Sequence, residues 1–265
     1  MSLPRRLIHN EYDLQDIAEG QDRPIELIER DFALVTVAAH LVDQFPRQLC
    51  FKGGFVLRHV RGHARFSGDL DATRTNPPKH RIAATEIAEV MRRATDEPML
   101  RIDPGAPATD SQNSLDFDHI VFRTPHHDGQ IAVEVSYREA VVDEPELADI
   151  GPPYYAKFQI PVLTLEETVA EKLRTLLQRL RPTDLSDLAL ILRDQGDQLD
   201  RNHVRQLAVA KFALVKQGDR RGRIEANVEA MRATYEQTIP GLALDAPSFA
   251  DAEDLILHAL PTLVS

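Results

Sequence analysis

The chain has 265 residues, 43% of them hydrophobic, with 31 Lys and Arg against 42 Asp and Glu and a net charge of −11. That is enough apolar material for one large or two small domains, and the charge argues against a protein that coats nucleic acid with its whole surface. The single Cys50 excludes a disulfide framework and fits a reducing, cytoplasmic setting; no apolar segment follows Arg5 and Arg6 as a signal peptide requires, and the apolar run Phe32 to Val42, broken by Thr36 and His40, is too short to cross a bilayer.

Ile25 to Phe45 carries Ile25, Ile28, Phe32, Val35 and Leu41 at near-helical spacing, which predicts an amphipathic helix stopped by Pro46. Gln48 to Phe51 reads as a short buried strand. Lys52-Gly53-Gly54 follows, and a Gly-Gly turn lets the backbone turn sharply while clearing side chains from a ligand's path. Phe55, Val56, Leu57 and Val60 fit a short helix whose first amides face that turn, a setting that favours an anion. Gly62 and Gly68 bracket a loop, and Asp69-Leu70-Asp71 comes next. On a strand, residues two apart share a face, so Asp69 and Asp71 point one way, roughly 6–7 Å apart along the chain, and Leu70 points to the core. Two carboxylates on one face suit Mg2+, which is usually held by one or two carboxylates plus phosphate oxygens. The bland alternative is a solvated strand end.

Pro77-Pro78 opens a predicted helix, Lys79 to Ala94, with Ile82, Ile87, Val90 and Met91 inward. Met99 to Ile102 suits a short strand. Leu115 to Thr124 and Gln130 to Arg138 read as a hairpin around Pro125 to Gly129. On its second strand Ile131, Val133 and Val135 share one face, and Ala132, Glu134 and Ser136 the other. Glu134, alone among small residues, is a candidate third carboxylate or a surface glutamate; Asp116 and Asp118 are the reserve. His126-His127-Asp128 reads as a polar turn, because no further Cys or His is spaced to complete a zinc site.

After Gly151-Pro152-Pro153, Lys157 to Val162 suits a strand or extended link. Thr164 opens a helix, with Glu167 three residues on as a capping box, and Val169, Leu173, Leu176, Leu177 and Leu180 form its apolar stripe. Lys172 borders that stripe, where a lysine either snorkels or reaches into a cleft to bind phosphate as a point charge. Pro182 fits the first turn of the next helix, in which Asp184 suits the positive end of the dipole. Arg201 to Lys216, Arg223 to Gln237 and Phe249 to Leu260 read as helices without evident chemistry. Phe51 to Ala94 holds nine Lys and Arg against four Asp and Glu, and Glu171 to Arg181 is a second basic run. Both coincide with the motif blocks, as an anion-binding surface or as solvated helix faces.

Lys52-Gly53-Gly54, fourteen residues, then Asp69-Leu70-Asp71 preceded by Arg65-Phe66-Ser67, resembles the AbiEii/AbiGii-type (MenT-like) nucleotidyltransferase toxins of bacterial toxin–antitoxin and abortive-infection systems, within the polymerase-β-like superfamily. A second block fits as well: Ala170-Glu171-Lys172-Leu173, then Asp184-Leu185-Ser186-Asp187-Leu188. Two positions depart from the family pattern, Phe55 where a small or hydroxyl residue is commoner and Thr183 where Arg is common. The resemblance implies an α/β (α+β) fold, a mixed sheet flanked by helices over residues 1–160, then a helical domain, 161–265, contributing Lys172 and Asp187 to the active-site cleft. It implies that Asp69, Asp71 and Glu134 hold Mg2+ or Mn2+, and that Lys52, Gly53, Gly54, Arg65, Ser67, Lys172 and Asp184 serve the nucleotide, with Asp187 orienting it. The implied reaction moves NMP from an NTP, CTP or another pyrimidine nucleotide, to RNA, the expected acceptor being the tRNA 3′ end. A cognate antitoxin is the implied partner, and Ser67, beside the aspartates, is a candidate phosphorylation switch.

Three other readings compete. Asp69-Leu70-Asp71-Ala72-Thr73 matches the first motif of haloacid-dehalogenase-like phosphatases, but that fold wants an apolar strand before the first Asp and leaves Lys52-Gly53-Gly54 unexplained. A catalytically silent nucleotide-sensing or partner-binding module is the second, and a transferase modifying protein or a small molecule the third.

Overall fold

The computed structural model describes residues 3–75, 81–95, 98–215, 218–242 and 245–264. The chain forms two compact units, one comprising 1–61, 66–141 and 145–162, the other 62–65, 142–144 and 163–265. Two short segments flanked on both sides by the first unit thus belong to the second.

The first unit is a mixed sheet with helices. In chain order it contains α1 (Glu11–Gln21), α2 (Ile25–Gln44), β1 (Leu49–Lys52), α3 (Gly53–His59), β2 (Asp69–Arg74), α4 (Ala84–Arg93), β3 (Arg101–Asp103), β4 (Thr109–Asp110), β5 (Ser114–Arg123), β6 (Asp128–Ser136), β7 (Glu146–Ile150) and β8 (Phe158–Val162). The strands run in the order β3-β5-β6-β2-β1-β8-β7, with β4 paired to β5. β2 lies antiparallel to β1 and parallel to β6, and β1 runs parallel to β8. The alternating apolar residues of β6 (Ile131, Val133, Val135) are buried, as are Leu70 and Ala72 of β2, and they share one core with Phe32, Val35 and Leu41 of α2.

Most of these elements are legible in the sequence, with instructive differences. α1 is an addition; it begins at Asn10, whose side chain caps it in a reciprocal box with Asp13. The edge strand β7 is another, since it shows no clean alternation of apolar residues. The helix expected from Lys79 is described from Ala84, and Pro77, Pro78 and Lys79 lie outside the described residues. The predicted hairpin turn is where expected, but its histidines are tied down. Nδ1 of His126 and of His127 lie 2.6 and 2.7 Å from the two carboxylate oxygens of Glu29, a fully buried α2 residue. Each carboxylate oxygen thus has a ring nitrogen within hydrogen-bond distance, which partners a polar group that burial would otherwise make costly.

The second unit is helical: α5 (Leu165–Gln178), α6 (Pro182–Gln195), α7 (Arg201–Phe212), α8 (Arg220–Ala230), α9 (Arg232–Thr238) and α10 (Phe249–Leu263). α5 packs on α6, α7 and α8, and α10 on α6 and α7. Thr164 caps α5 through the Glu167 amide as the sequence predicts. The reciprocal half of the box is replaced, because Glu167 turns its buried carboxylate to the amides of Val142 and Asp143 and to Lys211. A single helix expected over Arg223 to Gln237 is two, joined at Met231. The helix predicted over Arg201 to Lys216 ends at Phe212, and Lys216 is outside the described residues. Among the described residues no helix is long and apolar enough to cross a membrane.

Candidate active site

The site is built from the ladder of the central strands. β1 pairs Lys52 with Asp71, β2 pairs Asp71 with Glu134, and β5 pairs Asp116 with Glu134. Register partners sit side by side on one face of a sheet, so Lys52, Asp71, Glu134 and Asp116 form one row across four strands. Asp69 lies two residues along β2 on the same face, opposite Ala132. Asp118 falls in the irregularity between Phe117 and Ile120, out of the row. The sequence therefore points to the acids, and the register adds that Glu134 is the immediate neighbour of Asp71, with Asp116 immediately beyond it.

The Gly-Gly turn shapes one end of this row. Gly53 has φ +73°, and a Cβ placed on it would lie 2.1 Å from Oδ2 of Asp71. The turn thus needs glycine twice, for a left-handed backbone and for the close approach of a carboxylate. α3 starts on Gly53 itself. Lys52 directs its ammonium to the buried Glu139, which also accepts from Arg138. Ser67 is buried, and its hydroxyl donates to Oδ1 of Asp69 at 2.6 Å, holding that side chain from the loop side.

Among the described residues no three His, Cys, Asp or Glu side chains converge into a ready-made metal cage. The donor set still fits a cation that arrives with its nucleotide. It is all carboxylate oxygen, Mg2+ needs only one or two such ligands beside phosphates and water, and one oxygen of Asp116 is buried without a hydrogen-bond partner among the described residues. Like charges directly opposite each other across strands repel, so the row favours a positive guest.

The second sequence block makes a cluster inside the helical unit. Lys172 donates to Asp184 at 3.0 Å and to Asp187 at 2.7 Å. Arg65, from the segment 62–65, forks onto Asp187 with distances of 3.2 and 3.0 Å, and Arg179 reaches Asp184 at 2.7 Å. Burial alone would lower the Lys172 pKa, but Asp187 and Asp184 outweigh it and raise it well above the usual lysine range. Burial would raise both aspartates; for Asp187 the charges of Lys172 and Arg65 prevail, and for Asp184 those of Lys172 and the bonded Arg179, so both lie below the usual carboxylate range. All five groups are therefore charged at neutral pH, with cations in excess by one. Sequence reasoning names Lys172, Asp184, Asp187 and Arg65 separately; the bonds that join them span up to 122 positions, and no local pattern carries them.

The basic runs are less available than composition suggests. Arg58 pairs with Asp31, Arg61 with Glu146, Arg174 with Glu171, and Lys52, Arg65, Lys172 and Arg179 as above. Much of the local excess goes into internal ion pairs rather than being displayed to a polyanion.

A sheet with this row of acids, a Gly-Gly approach to one of them and a lysine–aspartate block downstream can be compared with known proteins. The solved structure of the nucleotidyltransferase toxin MenT4 from Mycobacterium tuberculosis shares the fold at a TM-score of 0.68 and 20% identity, over 97% of this chain and 90% of that one. JHP933 from Helicobacter pylori aligns at 0.63 and 15% identity, over 90% and 92%. No curated relative matches by sequence. The model of the family described as nucleotidyl transferase AbiEii toxin, type IV toxin–antitoxin system, matches residues 37–256, spanning both motif blocks. The chain belongs to the AbiEii nucleotidyltransferase toxin family.

Proposed function

We propose that this protein transfers NMP from an NTP, a pyrimidine nucleotide, to the 3′ end of tRNA and thereby stops translation until its antitoxin intervenes. The observation that carries the transferase half is the register of Asp71 with Glu134, with Asp69 on the same face and Gly53 open against Asp71. Family membership supports the nucleotide, the class of reaction and an antitoxin partner.

Asp69, Asp71 and Glu134 would hold Mg2+ or Mn2+, which when bound neutralises charge on the phosphates and their leaving group. Gly53 and Gly54 leave room for the phosphates. Ser67 fixes the rotamer of Asp69, and Lys52 with Glu139 anchors the strand that precedes the turn. Lys172, kept protonated by Asp184 and Asp187, is the residue proposed to serve the triphosphate, and Asp187 with Arg65 to orient the nucleotide. Catalysis of this kind is chiefly positioning and preorganised charge.

The test is incubation with each α-labelled NTP, Mg2+ and total tRNA, beside Asp69→Ala. Label on tRNA with one NTP is expected, reduced on the order of 10²-fold or more in the variant. Because so many cations of the basic runs are internally paired, a protein or small-molecule acceptor is the second reading; label on protein with none on RNA would establish it. Nucleotide binding with no label anywhere would identify a silent sensor. In the same assay Ser67→Asp should lower transfer strongly, since it sets one negative charge beside Asp69 where a phosphate would bring about −1.5 to −2 and repel the nucleotide. Full activity of that variant would remove Ser67 as a switch. Ser67 is 2% exposed, so a modifying enzyme would need the loop to open.

A further inference from the structure

Asp31 of α2 is an acid that neither motif block contains. It is 1% exposed and takes three partners: Nε2 of His59 at 3.0 Å, Nε of Arg58 at 3.3 Å and the Tyr154 hydroxyl at 2.9 Å. Burial would raise its pKa, yet His59 and Arg58 hold it below the usual carboxylate range. The Arg58 guanidinium in turn lies over the Phe66 ring, 3.4 Å from its centroid, a cation–π contact of a geometry that arginine's flat fork favours. Phe66 is followed directly by Ser67, whose hydroxyl holds Asp69. All of these residues lie in the first unit.

We propose that Asp31, Arg58 and Phe66 are positioning residues that fix the loop carrying Ser67 and so set the orientation of Asp69. Asp31 is too deeply buried to meet a substrate, and its carboxylate together with the Gln21 side-chain oxygen holds the Arg58 guanidinium. Phe66 packs under that guanidinium and against the core. A merely space-filling role for Phe66 would need no cation above it and no buried acid behind that cation. The proposal rests on the reading of Asp69 as part of a transferase site, but its physical half, that Arg58 and Phe66 hold the loop, stands apart from that reading.

The experiment compares Arg58→Met, Phe66→Leu, Phe66→Tyr and Asp31→Asn with the wild type in two measurements. The first is hydrogen exchange of the amides from Phe66 to Leu70. The second is kcat and KM for nucleotide transfer. Arg58→Met and Phe66→Leu are expected to speed exchange at Ser67 to Asp69 about tenfold and to lower kcat by about 10- to 100-fold, the scale of a small misplacement of a reacting group. KM for the NTP should change less than kcat, because Gly53, Gly54 and Lys172 are untouched. Phe66→Tyr, which keeps an aromatic face, should restore both. Unchanged exchange, or faster exchange with unchanged kcat, overturns the proposal. If Asp31→Asn does not fold, the Arg58 and Phe66 variants decide. If the wild type transfers no nucleotide to any acceptor, the transferase reading fails on its own, and exchange at Ser67 to Asp69 still decides whether Arg58 holds the loop.

Discussion

Gly53→Ala should lose nucleotide transfer by about 10²-fold or more, the scale seen when a preorganised group is displaced from a reacting centre. The methyl group would lie 2.1 Å from Oδ2 of Asp71, and φ at this position is +73°. Both problems act together. A left-handed backbone costs an alanine about 1–2 kcal/mol, and Asp71 must swing away from its place beside Glu134. Gly20→Ala is the matched control: nothing lies within 4 Å of a Cβ there, and the residue is in α1. It should stabilise the protein by about 0.4–1 kcal/mol and leave transfer intact. Thermal unfolding and label transfer on the two variants separate strain from chemistry. Wild-type transfer by Gly53→Ala would show that the Gly-Gly turn does not shape the site.

Lys172→Met should destabilise the helical unit by about 3–5 kcal/mol, because removing one partner of a buried ion pair strands the others. Asp187 keeps Arg65 and Asp184 keeps Arg179, which places the expected loss towards the lower end. Adding Asp184→Asn and Asp187→Asn to Lys172→Met should recover part of the loss, since the stranded charges go too; denaturant unfolding of the set measures this. The pH dependence follows from the directions of the shifts. Asp184 and Asp187 are depressed, so their contribution is present above the ordinary carboxylate value of about 4 and is lost as pH falls through their lower folded values. Lys172 is raised, so its contribution is full below about pH 10.4 and fades only as pH climbs through its higher folded value. The gap between wild type and Lys172→Met should therefore be level from about pH 5 to 9 and shrink below about pH 4. A gap that varied steeply near neutrality would mean that one of the three groups is uncharged there.

How far the sequence can be read depends on how local each feature is. The strand bearing Asp69 and Asp71, the turn at Gly53 and the cap at Thr164 are set by neighbours within a few positions, and each stands where periodicity and turn chemistry put it. Glu134 is legible as a lone acid on an alternating strand, while its pairing with Asp71 depends on β2 meeting β6, which no short window reveals. Glu167 shows the limit of a motif: its spacing from Thr164 fits a capping box, but Lys211 and two distant amides compete for the carboxylate and win. Asp31 is invisible for a related reason, because within a helix that is buried nearly all round an acid gives no sign of the Arg58, His59 and Tyr154 that it will meet. The basic runs mislead when charges are counted along the chain without the acids that fold against them.

The segment 62–65 constrains the order in which the molecule can be completed. Ala64 meets its carboxylate partner, Asp245, 181 positions later, and Arg65 meets Asp187 122 positions later. At a synthesis rate of roughly 5–20 residues per second, on the order of 10–40 s separate Ala64 from its partner on the ribosome. Until Asp187 and Asp245 are synthesised, Arg65 and Ala64 cannot form these bonds. The segment 62–65, though it lies early in the chain, can therefore complete these bonds only once nearly all of the helical unit has been made.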